Sequence, residues 1–228
     1  MTIDNISIEV EFKPIKNTHL AVYPPDGRVH VSAPDYLTED DVRSYVVSKW
    51  DWVTRQRMDI LEMPRQTERQ YVSGESHYLF GTRYRLRVEP ITTGSNEICI
   101  QGDIMTMKVR KDSNRHTLMQ EFYREHLKEA LSKLLEKGSQ ELDIHDYSWQ
   151  VKFMRTQWGS CTSKSRTLLF NLELARVPKE CIEYVVVHEM THLSVENHGK
   201  LFEALMSQRL PRWRTLRTQI NSFIALPM

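Results

Sequence analysis

The segment between Pro178 and Glu196 constrains the fold most, because its apolar residues recur at helical spacing and the resulting helix must pack against a core. Pro178 stands where a proline is tolerated in the first turn of a helix. The apolar face consists of Ile182, Val185, Val186, Met190 and Leu193. The sequence therefore predicts a helix over residues 178–196 with one face turned inward.

This helix carries His188-Glu189-Met190-Thr191-His192, which is an H-E-x-x-H motif. Successive helical residues are about 100° apart, so histidines four positions apart differ by only about 40° and their imidazoles can converge on one ion. Glu189 lies about 100° from His188, close enough to meet a water beside the ion but badly placed to bind the ion itself. The spacing predicts a Zn²⁺ site with His188 and His192 as ligands and Glu189 as the general base.

Two imidazoles leave a catalytic zinc site incomplete, since such sites use three protein ligands and keep a fourth position for water. His198 is the favoured third ligand, because neutral imidazoles are common in catalytic zinc sites. Glu196 and Glu203 are the alternatives, the second on a helix predicted to begin near Lys200. We expect the Asn197-His198-Gly199 segment to end the motif helix in a left-handed turn that brings His198 back over the ion.

The motif and its surroundings resemble the YgjP-like zinc metallopeptidase family, which is similar to the broader zincin group with a helical H-E-x-x-H. The resemblance covers residues 149–220 and rests on five segments: Trp158-Gly159-Ser160-Cys161, Asn171-Leu172, residues 184–193, Asn197-His198 and Phe202. It implies an α+β fold with a zincin-like C-terminal catalytic region, zinc on His188, His192 and His198, and Glu189 as general base. Glu203 departs from the family pattern, because an aromatic residue often stands there.

Periodicity elsewhere indicates that antiparallel strands and two long helices precede the motif helix. The expected strands cover residues 6–12, 19–23, 28–32, 76–80, 84–88, 97–101 and 104–109, with a turn at Pro24-Pro25-Asp26-Gly27. The two helices are expected over residues 38–63 and 116–142, and two further strands, 151–157 and 167–172, flank a polar turn at residues 160–165. We expect residues 1–110 to form a mostly antiparallel β region with one helix. Residues 111–228 are expected to form a zincin-like metal-binding catalytic region, which can pack with the first as a single domain.

Charge and composition narrow the range of partners. The 228 residues include 31 Lys and Arg against 30 Asp and Glu, a net charge of +1, which removes the usual electrostatic argument for a nucleic-acid partner. Arg209, Arg212, Arg214 and Arg217 surround Trp213, and helical spacing favours a solvated basic face there. No run approaches the roughly 18 apolar residues of a membrane helix. Because the N-terminus also lacks the pattern of a secretory signal, we expect a cytoplasmic protein.

The cysteines are too few and too widely spaced for a disulfide framework or a four-cysteine zinc site. We expect Cys99, Cys161 and Cys181 to be reduced and mostly buried thiols. Cys161 closes the segment Trp158-Gly159-Ser160-Cys161, for which two interpretations stay open. Gly159 can allow close backbone approach to the motif helix, with a strand edge that pairs with an extended peptide, or the segment can be a turn anchored in the core by its tryptophan.

The sequence thus predicts a zinc-dependent hydrolase, with a metallopeptidase acting on a peptide or protein favoured. A first alternative is a zinc-dependent hydrolase of a non-peptide substrate such as a nucleotide, although the chain has no Gly-rich phosphate-binding loop. A second alternative is a non-catalytic interaction module with a structural zinc ion. That alternative predicts a fourth protein ligand, for which the sequence near the motif offers no clear candidate.

Overall fold

The structure, a computed structural model, describes residues 1–23, 26–62, 69–154 and 156–223. These residues form two compact units that divide at Arg69. Two expectations lie outside the described residues, namely the helix end near Met63-Pro64 and the Pro24-Pro25 part of a turn. Within the described residues, no helix combines the length and the apolar composition needed to cross a membrane.

The first unit is a four-stranded sheet with two helices. Its elements are β1 (Thr2–Ile3), β2 (Ile6–Lys13), β3 (His19–Tyr23), β4 (Arg28–Pro34), α1 (Glu39–Ser48) and α2 (Trp50–Glu62). The strand order is β1-β2-β4-β3, and the buried side chains of β4 form a core with Val42 and Val46 of α1 and Val53 of α2. Thr38 caps α1, and its side chain accepts a hydrogen bond from the Asp41 N–H at 3.2 Å.

Two expectations for the first unit are wrong. β2 runs parallel to β4, whereas antiparallel strands were expected. The reason is the strand order, in which β3 lies at the edge of the sheet and β4 lies between β2 and β3. The predicted long helix is interrupted at Lys49, which has φ −112° and ψ 13° and caps the end of α1. The apolar spacing continues through this break, so the pattern alone could not locate it.

The second unit contains two sheets and four α-helices among its described residues. Its elements are β5 (Ser76–Leu79), β6 (Thr82–Pro90), β7 (Glu97–Gln101), β8 (Ile104–Val109), α3 (Arg115–Leu142), β9 (Ser148–Lys152), β10 (Gly159–Thr162), β11 (Thr167–Asn171), α4 (Lys179–His192), α5 (Lys200–Arg209) and α6 (Trp213–Asn221). A short 3₁₀ helix, Leu172–Arg176, joins β11 to α4. One sheet has the order β5-β6-β8-β7 and the other β10-β11-β9. The fold is α+β, but both sheets are mixed rather than antiparallel, because β6 pairs parallel with β8 and β9 with β11.

The motif helix α4 lies at the centre of the second unit. It contacts α3, α5, α6 and β10, and most of its predicted apolar face is buried. The turn between β5 and β6 holds the 3₁₀ helix that precedes α4. The N–H groups of Phe80 and Gly81 in this turn donate hydrogen bonds to the carbonyls of Ala175 and Arg176 at 2.8 and 3.1 Å. These bonds join the sheet of β5–β8 to the motif helix within one compact unit. The division at Arg69 therefore differs from the boundary expected after residue 110.

The connection after β9 also differs from the expected hairpin. β9 is shorter than the predicted strand over residues 151–157, and β10, not β9, forms the antiparallel hairpin with β11. The Asn171 side chain explains why the strand stops, because its Nδ2 donates to the carbonyls of Met154 and Gln157 at 2.7 Å each. This segment is thus held by a side-chain amide instead of a sheet ladder. Residues 160–162, expected in a turn, belong to β10.

Candidate metal centre

Three histidine side chains converge at the C-terminal end of α4. His188 and His192 belong to α4, and His198 lies in the connection between α4 and α5. The Nε2–Nε2 distance is 3.3 Å between His188 and His192, and His198 lies 3.0 Å from each of them. In the part of the chain that the structure describes, these side chains form the candidate metal cluster, hereafter the histidine cluster. The fold brings the three predicted ligands together.

His198 reaches the histidine cluster by a route that differs from the expected one. α4 ends at His192 instead of Glu196, and the His192 ring bonds the Val195 carbonyl of the following segment at 3.0 Å. Gly199 has φ −81° and is the N-cap of α5, and this connection contains no residue in the left-handed region. The chain therefore turns because a new helix begins, not because a left-handed residue ends the old one.

The histidine cluster fits a divalent ion such as Zn²⁺. The Nδ1–H of His192 donates to the Val195 carbonyl, which leaves the Nε2 lone pair facing the other two rings. Burial, together with the neighbouring imidazoles, lowers the pKa of His188 to about 3 and also lowers that of His198, so both rings stay neutral. A tetrahedral zinc ion with Zn–N distances of about 2.0–2.1 Å separates its nitrogens by about 3.3 Å, near the observed 3.0–3.3 Å.

Phe202 of α5 covers one side of the histidine cluster. Its ring centroid lies 4.9, 4.6 and 4.7 Å from the ring centroids of His188, His192 and His198. Phe202 is only 1% exposed. A buried aromatic ring against all three imidazoles restricts their orientations and keeps water away from that side. The sequence singled out Phe202 only as part of the family resemblance.

Glu189 lies beside the histidine cluster and packs against β10. It is 5% exposed, and burial raises the pKa of its carboxyl to about 8. A Cβ placed on Gly159 would lie 2.6 Å from Oε1 of Glu189. The backbone of Gly159 thus makes the close approach that was one interpretation of this glycine. Space for the carboxyl, rather than an unusual φ, requires glycine at this position.

A cleft of about 740 Å³ opens at the histidine cluster. One wall is β10, which is an edge strand of its sheet, and another is α6. Tyr184 of α4 and Arg217 of α6 also line the cleft, and sequence reasoning gave neither a role in the site. The spacing could have found Tyr184, since it lies four residues before His188 on the same stripe of the helix.

The alternative third ligands lie in the cleft but outside the histidine cluster. The Glu203 carboxylate accepts a hydrogen bond from Arg214 at 2.8 Å, and Glu196 is exposed. Cys161 also lines the cleft, and the pKa of its thiol is raised chiefly by burial and further by the Glu189 charge. The raised pKa favours the neutral thiol, and Cys161 lies outside the histidine cluster.

The cysteines are unpaired, as predicted, but only one of the three is buried. Cys181 lies in the core, Cys161 is half-buried, and Cys99 is exposed. Cys99 occupies an outward position of β7, where exposed and half-buried side chains alternate along the strand. The expectation that all three are mostly buried is wrong for Cys99, because strand alternation and not residue type decides its environment.

The arginines around Trp213 are exposed except for Arg209. Arg209 donates to the α4 helix at 2.8 Å, and Arg214 lies over the Trp213 ring at 4.4 Å from its centroid. Arg217 faces the cleft. The solvated-face interpretation is confirmed for Arg212, Arg214 and Arg217 and is wrong only for Arg209 of α5, which is half-buried and bonds α4.

Comparison with known proteins identifies relatives of the chain. The family described as YgjP-like, metallopeptidase domain matches residues 17–223. The metallopeptidase zymogen abylysin of Pyrococcus abyssi is 18% identical, with 43% of this chain and 98% of that chain covered and a TM-score of 0.40. The metallopeptidase zymogen jannalysin of Methanocaldococcus jannaschii is 21% identical, with 40% of this chain and 87% of that chain covered and a TM-score of 0.37. No curated protein sequence matches the chain.

The family match covers most of the chain rather than the motif alone. Residues 17–223 include β3, β4, α1 and α2 of the first unit, every described element of the second unit, and the histidine cluster. The resemblance inferred from residues 149–220 is therefore confirmed over a longer range. The chain belongs to the YgjP-like family of metallopeptidase domains and is a metallohydrolase.

Proposed function

We propose that this protein is a zinc-dependent peptidase in which His188, His192 and His198 hold the metal and Glu189 is the general base. The observation that carries the proposal is the meeting of three Nε2 atoms within 3.0–3.3 Å beside a buried carboxyl. When bound, a zinc ion supplies Lewis-acid polarisation and a water whose pKa lies near 7. Within the described residues the cluster offers three ligands, which favours a catalytic site over a structural one.

Glu189 moves the proton in this proposal. Its carboxylate accepts a proton from the attacking water and later gives that proton to the leaving amine nitrogen. Burial supports this role, because it moves the pKa of the carboxyl to about 8, much nearer to neutral pH, where a general base works best. The close approach of β10 at Gly159 limits the directions in which the carboxyl can point.

An extended peptide is the proposed substrate. β10 is an edge strand in the order β10-β11-β9, and its residues Gly159, Ser160 and Cys161 line the cleft. The open edge of such a strand presents backbone N–H and C=O groups that can pair with a peptide as an added strand. This feature favours a peptide over a nucleotide, for which the sequence contains no Gly-rich phosphate loop.

Replacing Glu189 by glutamine tests the proposal directly. Glu189→Gln should retain zinc, measured by elemental analysis, and lower kcat by about 10²–10⁴ for peptide cleavage, because the amide cannot accept the proton. Glu196→Gln is the matched control, since Glu196 lines the same cleft outside the histidine cluster. Substrates are a peptide library read by mass spectrometry and, in parallel, nucleoside triphosphates.

Three outcomes would contradict the proposal in different ways. An undiminished rate in Glu189→Gln would remove Glu189 as the base. Hydrolysis of nucleoside triphosphates without peptide cleavage would support the non-peptide alternative. If the zinc-loaded wild type cleaved neither substrate while zinc raised its Tm, the site would be structural and the domain an interaction module.

A further inference from the structure

Arg217 of α6 lines the cleft beside the histidine cluster. Three buried residues, Trp213, Leu216 and Ile220, hold α6 against α4. Arg217 follows Trp213 by about one helical turn, Asn221 follows Arg217 by another, and all three line the cleft. The packing of α6 therefore directs the Arg217 guanidinium toward the site.

Arg217 shares the cleft with Tyr184 and His188 of α4. The ring centroids of Tyr184 and His188 lie 5.8 Å apart. Tyr184 is 7% exposed, whereas Arg217 is exposed to solvent. The cleft therefore presents a phenol and a guanidinium in the same space as the metal-binding imidazoles.

Helical geometry places Tyr184 and Glu189 on different stripes of α4. Tyr184 and His188 are four residues apart and share one stripe of α4, whereas Val185 and Glu189 share the adjacent stripe. The second stripe faces Gly159 of β10, as the short distances from its Cβ position show. Tyr184 and the proposed base thus occupy neighbouring stripes of α4, and both line the cleft.

The Arg217 guanidinium is available to a ligand. Within the described chain it forms no hydrogen bond or ion pair, whereas Arg209 bonds Thr191 and Arg214 bonds Glu203, both at 2.8 Å. A permanent cation beside metal-binding imidazoles opposes the binding of a second cation unless a negatively charged group lies between them. The arrangement therefore suits an oxygen that carries or gains negative charge.

We propose that Arg217, together with the phenol of Tyr184, binds the carbonyl oxygen of the scissile peptide bond as this oxygen becomes negatively charged; this inference rests on the proposed peptidase function. The water oxygen bonds to the carbonyl carbon, its proton passes to Glu189, and the C=O π pair moves onto the oxygen that Arg217 and Tyr184 hold. When the C–N bond breaks, that pair restores C=O and the proton passes from Glu189 to the amine nitrogen. Both side chains donate hydrogen bonds and keep their protons.

The kinetic test uses the full zinc-loaded chain with Arg217→Met, Arg217→Lys and Tyr184→Phe. Arg217→Met should lower kcat by about 10²–10³ with little change in KM, as expected when a donor to the developing oxyanion is lost. Arg217→Lys should recover part of the rate, because the charge remains without the planar fork. Arg212→Met is the matched control, since Arg212 is an exposed arginine before α6 that does not line the cleft.

Two binding measurements separate this role from a structural one. Zinc affinity, measured by competition with a chromophoric chelator, should stay equal or rise in Arg217→Met, because a nearby positive charge is removed. A phosphinic peptide carries an anionic tetrahedral group that mimics the charged oxygen. It should bind Arg217→Met at least about 10²-fold more weakly than wild type, and Arg212→Met like wild type.

The outcomes distinguish this inference from the proposed function. If Arg217→Met keeps the wild-type kcat and phosphinic-peptide affinity, Arg217 is not the anion-binding residue, although the peptidase function stands. If Arg217→Met also loses zinc affinity, its role is structural and the inference is overturned. If the wild type cleaves no peptide, the peptidase function fails. The phosphinic-peptide titration still decides the anion site, and equal affinity in wild type and Arg217→Met overturns it.

Discussion

Replacing Gly159 by alanine should displace the general base without removing it. A Cβ at this position would lie 2.6 Å from Oε1 and 2.8 Å from Cγ of Glu189, and 2.9 Å from Cγ1 of Val185. Non-bonded carbon atoms normally approach to about 3.5–4.0 Å. Gly159 is held in β10 by its pairing with Phe170, and Val185 is buried within α4. The Glu189 carboxyl is therefore the group that must give way.

The expected losses of catalytic rate and of stability follow from these distances. Relief of the contacts requires the carboxyl to shift by on the order of 1 Å. A misplacement of about 1 Å can lower a rate by about 10²-fold, which is about 2.7 kcal/mol in activation free energy. The added methyl also overpacks the contact between strand and helix and should lower the free energy of unfolding by about 1–3 kcal/mol. Zinc affinity should stay unchanged, because the nearest atoms belong to Glu189 and Val185 and not to the histidines.

The assay compares kcat/KM for peptide cleavage, zinc affinity and Tm in Gly159→Ala and in the matched control Gly199→Ala. Gly199 has φ −81° and no atoms within 4 Å of its Cβ position, so alanine is accommodated there. A kcat/KM within about threefold of wild type, less than about 0.7 kcal/mol, would refute the reasoning. In a Glu189→Gln background, Gly159→Ala should cause no further loss of kcat/KM. Additive losses would mean that the added methyl group lowers the rate without displacing Glu189.

Two further predictions concern the histidine cluster. Phe202→Leu should lower zinc affinity by about 10- to 100-fold, the range for residues that orient metal ligands, and chelator competition would show it; unchanged affinity would mean that the aromatic ring does not orient the imidazoles. His198→Ala should lower zinc affinity by more than this range, since it removes a ligand. Glu203→Gln should leave the affinity unchanged in the same titration, because that carboxylate pairs with Arg214. If Glu203→Gln lowered zinc affinity by more than this range and His198→Ala left it unchanged, Glu203 would be the third ligand.

The sequence could predict those parts of the site that depend on local geometry. His188 and His192 share a stripe because four residues make about one helical turn, and Glu189 follows on the adjacent stripe. His198 required a choice among three candidates, because its position depends on where α4 ends and α5 begins. The expected left-handed turn is absent, yet the ring still reaches the histidine cluster through a different connection.

The remaining parts depend on contacts between segments that are distant in sequence. Gly159 meets Glu189 only because β10 lies along α4, and sequence periodicity does not specify which strands pair. The same limit explains why the expected hairpin between residues 151–157 and 167–172 is absent. β9 instead pairs parallel with β11. Arg217 is exposed, as its helical spacing predicts, but the spacing could not show that its stripe also borders the cleft.

Each neighbour of α4 contributes a different property to the site. α5 contributes Phe202 and follows the segment that carries His198, so it governs the orientation of the metal ligands. β10 contributes the space at Gly159 and so governs the position of the base. α6 contributes Arg217 and so governs the positive charge in the cleft. Because these contacts come from separate elements, variants in α5, β10 and α6 should alter zinc affinity, base position and anion binding independently of one another.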